Sequence, residues 1–423
     1  MALLAAFVAA GSAVAQRRAV KGPNKAPAFE CTKRITANDL KLLLDDTKAK
    51  NPKMVERLNA DPELRKKQTE DLRQLLAFAC QAVKDGALND PVNKSEMENL
   101  RVETVAAAFD KIANKGTDRP AFASISDDRV AQFYKVAGNE AQLDEFLKVK
   151  VALLIRKDPE FAKREVTADE KAQAREFFAK IRISDANSKI KARALDPSFA
   201  TKTGLQVKLQ QAQFLAGFCS DSNADKRRVT EAEISDIIKT HAEFNIAEKK
   251  AKAEGILARA KAGEDFAALA NEFTEDPGNM GQDGKKQGGL YRDVPKGQMV
   301  PMFENAALAL KPGELSPMLV ESDFGYHIIK LERRSDVPQS GGTSELTYDV
   351  RHILISTMQK DPKDPTAQEL PVREFVRKKL ETQKEDEFIA KVVADNPVEV
   401  AAIPVTPPPV KKAPAKRRTV RRK

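Results

Sequence analysis

The chain has 423 residues, 41% hydrophobic and 32% charged, with 6% aromatics and no Trp. At roughly 150 residues per domain this predicts two to three domains, too charged for a membrane-embedded protein and richer in helix formers than an all-β sandwich. The net charge is +10, yet eight basic residues and no acid fall within Lys411–Lys423, so the remainder is near neutral and the basic balance does not define a nucleic-acid-binding domain.

In chain order, Met1–Ala15 is apolar and short, and ends in Ala13-Val14-Ala15 before Gln16. This small-x-small pattern reads as a secretory signal and predicts a periplasmic or otherwise extracytoplasmic protein. The segment is too short to span a bilayer. Residues 16–35 read as a flexible basic lead, and residues 36–245 as an all-α domain. Thr36-Ala-Asn38-Asp39 offers helix caps, and Asp61-Pro62-Glu63 opens a helix with Asp61 as N-cap and Pro62 at the first position. Leu64, Leu72, Leu75, Leu76, Phe78 and Ala79 give that helix an apolar stripe. Further helices are predicted near 95–114, 127–157, 167–182, 205–219 and 230–241. Cys31, Cys80 and Cys219 are too few for a disulfide framework or a zinc cluster. A Cys31–Cys80 bridge is left open by the sequence.

After Asn245 the texture changes. Ala247–Ala262 and Asp265–Phe273 read as helices, followed by a loop, Asp276–Gly289, with five glycines in fourteen residues. Pro301–Leu310 reads as a short helix, and Ser316–Glu321, Tyr326–Arg333 and Tyr348–Ser356 as strands. Residues 366–396 form a charged helix with Phe375, Leu380, Phe388, Ile389 and Val392 on one side, expected to pack on the helical domain. Residues 397–423 read as a disordered basic tail. The fold class is α+β.

Two of the three histidines fall in strand patterns, His327 in Tyr326-His-Ile-Ile329 and His352 in Arg351-His-Ile-Leu354. Antiparallel pairing about a Pro338–Gly342 turn sets the two opposite each other, with Ile329 opposite Val350 and Leu331 opposite Tyr348. One strand histidine is ordinarily a core or surface residue. Two meeting on one face point to a site.

Residues 246–357 resemble the parvulin family of peptidyl-prolyl isomerases. The resemblance is carried by Ala262-Gly-Glu-Asp-Phe-Ala-Ala-Leu-Ala270, Phe273-Thr-Glu-Asp-Pro277, Gly288-Gly289, Gly297-Gln-Met-Val-Pro-Met-Phe303, Leu310-Lys-Pro-Gly-Glu-Leu-Ser316 and Phe324-Gly-Tyr-His-Ile-Ile329, in family order. A signal, a helical chaperone-like domain and this module together resemble exported foldases of the SurA and PrsA group. Two departures stand out. The family opens its domain with a strand carrying His-Ile-Leu, whereas here Val350-Arg-His-Ile-Leu-Ile355 follows the last strand, as in a circular permutation. The usual Asp-Leu-Gly-aromatic segment is replaced by Leu290-Tyr-Arg-Asp-Val294.

The resemblance implies a four-stranded antiparallel sheet with surrounding helices. It implies His327, His352, Asp276 and Ser322 as a catalytic polar network, and Met299 and Phe303, with Leu290 or Tyr291, as walls of a proline pocket. On composition alone Met299 and Phe303 are ordinary core residues. Rotation about an Xaa-Pro bond breaks no covalent bond. Its barrier of about 18–20 kcal/mol is lost amide resonance, so the chemistry calls for a dry slot and a polar network, with no nucleophile, metal or cofactor. The segment Ser356–Asp364 has two Lys, two Asp and no Arg, which disfavours a phosphate-directed site. The expected function is isomerase and chaperone for unfolded or nascent exported proteins with Xaa-Pro bonds, the basic tail offering a dock for an anionic envelope surface. The alternative is an inactive holdase with the module as scaffold. A cytoplasmic isomerase near nucleic acid follows only if Met1–Ala15 is no signal; otherwise no nucleic acid is expected.

Overall fold

The computed structural model describes residues 29–244, 246–338, 344–364 and 366–405. The signal reading at Met1–Ala15, most of the basic lead and the Lys411–Lys423 tail lie outside these residues. The chain divides into two compact units, one of residues up to Lys226 and from Phe388 onward, the other Arg227–Glu387. The chain thus leaves the first unit, builds the second, and returns. The boundary expected at 245/246 falls instead at 226/227. Among the described residues no helix is long and apolar enough to cross a membrane.

The first unit opens with a two-residue strand, β1 (Arg34–Ile35). Among the described residues nine α-helices follow: α1 (Ala37–Lys50), α2 (Pro52–Ala60), α3 (Pro62–Lys84), α4 (Pro91–Ala113), α5 (Asp127–Tyr134), α6 (Asn139–Lys157), α7 (Ala168–Leu195), α8 (Phe199–Ser222) and the single turn α9 (Ala224–Arg227) at the boundary. Their starts follow local chemistry. Thr36 and Asp39 form a capping box on α1, Thr167 and Glu170 another on α7. Asp61-Pro62 and Asp90-Pro91 place a carboxylate cap ahead of a proline that needs no hydrogen bond. Leu76, Leu205 and Leu215 from α3 and α8 share a core with Ile35 and with Val392, Val398 and Val400 from the returning chain.

The second unit contains α10 (Glu231–Thr240), α11 (Ile246–Lys261), α12 (Phe266–Phe273), β2 (Leu290–Pro295), α13 (Pro301–Leu308), β3 (Val320–Ser322), β4 (Gly325–Pro338) and β5 (Ser344–Ser356). From it α14 (Val372–Asp395) runs on into the first unit, where β6 (Glu399–Val400) pairs parallel with β1. The four longer-range strands form one antiparallel sheet in the order β2-β5-β4-β3. Alternation along β4 and β5 sends Tyr326, Ile328, Ile353 and Ile355 to the face covered by α11 and α12, and Ile329, Leu331, Tyr348 and Val350 to the face covered by α13. Ile234 and Phe244 pack with Val372 and Val376, so α10, expected in the helical domain, belongs with the sheet unit.

Three expectations are corrected. His327 lies opposite Leu354, and His352 opposite Ile329, two residues from the register assumed from the turn. Pro338 pairs with Ser344 in the ladder, and residues 339–343, the rest of the expected turn, lie outside the described residues. A shift of two keeps every side chain on its face, so both histidines still share one. Of the 316–321 stretch only Val320 and Glu321 are in a strand, which runs on to Ser322. The lead and tail are partly structured: Cys31 is disulfide-bonded to Cys80 with a Cα separation of 5.3 Å, and Val398 and Val400 are buried.

Candidate active site

The α13 face of the sheet carries a cleft of about 450 Å³ whose lining includes Asp276, Tyr291, Met299, Phe303, His327 and His352. Each side chain arrives by a traceable route. His352 stands on the central strand β5 and His327 on its neighbour β4. Ser322 ends β3, which pairs with β4.

Asp276 comes from the chain after α12. There Glu275 N–H donates to the Leu354 carbonyl at 2.8 Å, and Leu354 N–H donates to Thr274 Oγ1 at 3.0 Å. These bonds lash the segment to β5, two residues from His352. The Asp276 carboxylate then accepts from Gly278 N–H at 3.0 Å, a turn that opens the glycine-rich loop. A Cβ at Gly278 would collide with the Tyr291 hydroxyl. Further along the loop the buried Asn279 accepts from Gly289 N–H through its side chain at 2.6 Å. Gly289 has φ +70° and approaches the His352 carbonyl too closely for any Cβ.

Met299 and Phe303 are set by a buried carboxylate. Glu304 on α13 accepts from Gly297 N–H at 2.8 Å and from the Tyr348 hydroxyl at 3.2 Å, pinning the turn after β2 to the start of α13. Phe303 then meets both imidazoles edge-on, with centroids 5.3 Å from His327 and 5.1 Å from His352.

The polar groups form one chain. Phe324 N–H donates to Ser322 Oγ (3.1 Å), which is 2.7 Å from His327 Nε2. His327 Nδ1 is 3.5 Å from His352 Nδ1, and His352 Nε2 is 2.8 Å from Asp276 Oδ2. The Tyr291 hydroxyl donates to the same oxygen at 2.7 Å. With Asp276 ionised, one proton per imidazole satisfies every member. His352 Nε2–H donates to Asp276, His327 Nδ1–H donates to His352 Nδ1, and the Ser322 hydroxyl donates to His327 Nε2.

The electrostatics agree with that assignment. Burial pushes the Asp276 carboxyl up, but hydrogen bonds from His352, Tyr291 and Gly278 outweigh it and hold it at about 2. Burial, with a smaller push from His352, lowers His327 to about 4. Burial and the Asp276 carboxylate drive the Tyr291 phenol well above its ordinary value. The result is a neutral His327 joined through His352 to the Asp276 anion at one end and bonded to the Ser322 hydroxyl at the other, walled by Met299 and Phe303. Among the described residues no cluster of His, Cys, Asp or Glu is arranged to hold a metal ion.

The structure therefore brings together seven of the eight residues singled out from sequence. Leu290 is the exception: it pairs with Arg351, half-buried and off the cleft lining, while its neighbour Tyr291 turns in. The sequence reading also missed Tyr291 as a hydrogen-bond donor, and it missed Asn279 and Glu304 as the residues that hold the loops. Neither carries a sequence signal, because each acts through a backbone N–H brought near only by the fold.

A four-stranded antiparallel sheet with this cleft is the setting of a parvulin-type domain, and residues 237–333 match the family model of the PPIC-type PPIase domain, a rotamase. The chain is 37% identical over 159 residues to a Chaperone SurA of Chromohalobacter salexigens, covering 37% of this chain and 34% of that one. It is 40% identical over 116 residues to Foldase protein PrsA 4 of Bacillus cereus (27% and 39%). It is 49% identical over 80 residues to Foldase protein PrsA of Caldanaerobacter subterraneus subsp. tengcongensis (19% and 24%). The matches thus span between about a quarter and two fifths of these curated relatives. The chain carries a parvulin-type peptidyl-prolyl isomerase domain of the kind found in SurA and PrsA proteins.

Proposed function

We propose that the protein is an exported folding factor that accelerates cis/trans rotation of Xaa-Pro bonds in unfolded polypeptides. The observation that carries this reading is the closed hydrogen-bond chain Tyr291–Asp276–His352–His327–Ser322 beneath an apolar slot. Met299 and Phe303 receive the prolyl ring in a site with little water. There the twisted amide, stripped of resonance and less polar than the planar one, is disfavoured less than in bulk solvent. His327 and His352 form the floor. Their rings are fixed by partners at both ends, so the floor needs no rearrangement as the carbonyl swings. Asp276, anchored by Tyr291, sets the tautomers, and Ser322 closes the far end. No proton leaves the substrate and no covalent intermediate forms.

Support for a permuted module comes from β5, which carries His352 between β2 and β4 although it lies beyond residue 333, where the family match ends. The Cys31–Cys80 bridge supports an oxidising, extracytoplasmic compartment, with the periplasm as the particular setting. The relatives named chaperone and foldase support unfolded proteins as clients. The basic Lys411–Lys423 tail suits an anionic envelope surface.

The test is the isomerisation rate of an unphosphorylated Xaa-Pro peptide with the full chain and with His327→Ala/His352→Ala. Acceleration by the wild type that the variant loses by at least tenfold is expected. No acceleration by a folded wild type that still suppresses aggregation of an unfolded client would replace this reading with that of a holdase.

A further inference from the structure

The cleft does not end at the histidines. His352, Leu354 and Ser356 all line it, and they are alternate residues on one face of β5. At about 3.4 Å per residue, the line from His352 to Ser356 runs about 14 Å, the reach of roughly four residues of an extended peptide. Beyond Ser356 the chain turns back on itself. Gln359 and Leu370 exchange backbone hydrogen bonds, each 2.8 Å, and this bridge carries Met358 on one arm and Glu369 on the other, both in the lining.

Charge along this line has one sign. Three acids line the cleft, Glu275, Asp276 and Glu369, with no Lys or Arg among the lining residues. Two of the three are spoken for. Asp276 accepts from His352 and Tyr291. Glu275 accepts from Lys252 Nζ and from Ser356 N–H, both at 2.8 Å. Glu369 is exposed and makes no ion pair among the described residues. The nearby Lys360, Asp361, Lys363 and Asp364 are exposed, balance one another, and do not line the cleft.

We propose, resting on the isomerase reading above, that Glu369 is a specificity residue that selects polypeptide segments carrying Lys or Arg two to four residues from the isomerised proline and rejects acidic ones. Met358, on the other arm of the bridge and in the same lining, covers the aliphatic stem of such a side chain while the carboxylate meets the cationic head. An acidic substrate residue at the same place meets a like charge.

The experiment uses the full chain and unphosphorylated Xaa-Pro peptides bearing Lys, Ala or Glu at each position two to four residues on either side of proline. The measurement is kcat/KM at low and high salt. At one or more positions the Lys peptide is expected to exceed the Glu peptide by about five- to tenfold at low salt, with the ratio shrinking as salt screens it. Glu369→Gln should bring that ratio close to one, and Glu369→Lys should invert it. A wild-type ratio near one at every position, with peptides turned over normally, overturns the proposal and leaves the isomerase reading standing. A ratio that survives both substitutions also overturns it. If no peptide is turned over, dissociation constants for the same series are measured by calorimetry. A Lys-over-Glu order that Glu369→Lys inverts sustains the selectivity while the isomerase reading alone fails, and no order overturns the selectivity too.

Discussion

Replacing Asp276 by Asn tests the hydrogen-bond chain at its anchor. The carboxylate uses one oxygen for Gly278 N–H and the other for both His352 and Tyr291. A carboxamide offers one oxygen and one NH₂, so whichever way it turns, a donor faces a donor. The carboxyl titrates near 2 in place of 3.8, which corresponds to about 2.5 kcal/mol. Solvent at the cleft mouth screens part of this, leaving about 1–2 kcal/mol of stability for Asp276→Asn to lose. The sign is that of a depressed acid: the stabilisation is present above pH 3.8 and is lost as pH falls toward 2. With Asn donating, His352 must move its proton from Nε2 to Nδ1, and the whole chain to Ser322 reverses. The assay is denaturant unfolding of the full chain followed by tyrosine near-ultraviolet signals. The chain has no Trp, and of its four tyrosines Tyr291, Tyr326 and Tyr348 lie in the sheet unit. Nitrogen chemical shifts of the two imidazoles report the tautomers. A variant of wild-type stability with unchanged tautomers and unchanged isomerisation would refute the reasoning.

Three further outcomes are expected. His327 sits at about 4 against 6.5, so the unfolded chain takes up the proton first. Stability of the sheet unit should therefore decline by up to about 3 kcal/mol from pH 7 to pH 4, and urea midpoints of His327→Ala should show a flatter pH dependence over that window. Gly278→Ala should displace the Tyr291 ring and cost about 1–3 kcal/mol in denaturant melts. The cost should shrink in a Tyr291→Phe background, and simple additivity in the double-mutant cycle would argue against the contact. Cys31→Ser/Cys80→Ser opens a link of sequence separation 49 and should lower the unfolding free energy of the first unit, read from denaturant melts, by about 2–4 kcal/mol, without moving the isomerisation rate.

Most of the fold is local chemistry and was legible as such. Asp61-Pro62 starts α3 as its sequence states. The alternation around Tyr326–Leu331 and Tyr348–Ile355 gives both sheet faces. The paired histidines survived an error in register because parity is all that alternation encodes. The true register depends on the bulge between Leu331 and Arg333 and on where the hairpin turns, which no hydrophobic pattern reports. The choice between Leu290 and Tyr291 was hidden for the same reason, since β2 pairs across its own irregularity between Tyr291 and Val294. β1 and β6 are two residues each and have no strand period to read. They exist because Ile35 and Val400 share a core with distant helices. Glu369 was invisible because it enters the cleft only through the Gln359–Leu370 bridge.

The split of the first unit has a temporal consequence. Ile35 and Leu76 wait for Val392, Val398 and Val400 to complete their core, and those residues leave the ribosome only after all of 227–387. At 5–20 residues per second, residues 227–387 alone account for about 10–30 s of that wait. The sheet unit, continuous in sequence up to Glu387, can be finished while the surfaces of α3 and α8 still stand open. The newborn protein thus passes through an interval in which it is itself an incompletely folded chain with an exposed apolar seam. The end of that interval is marked by three valines near its C-terminal side docking on a strand made at the outset.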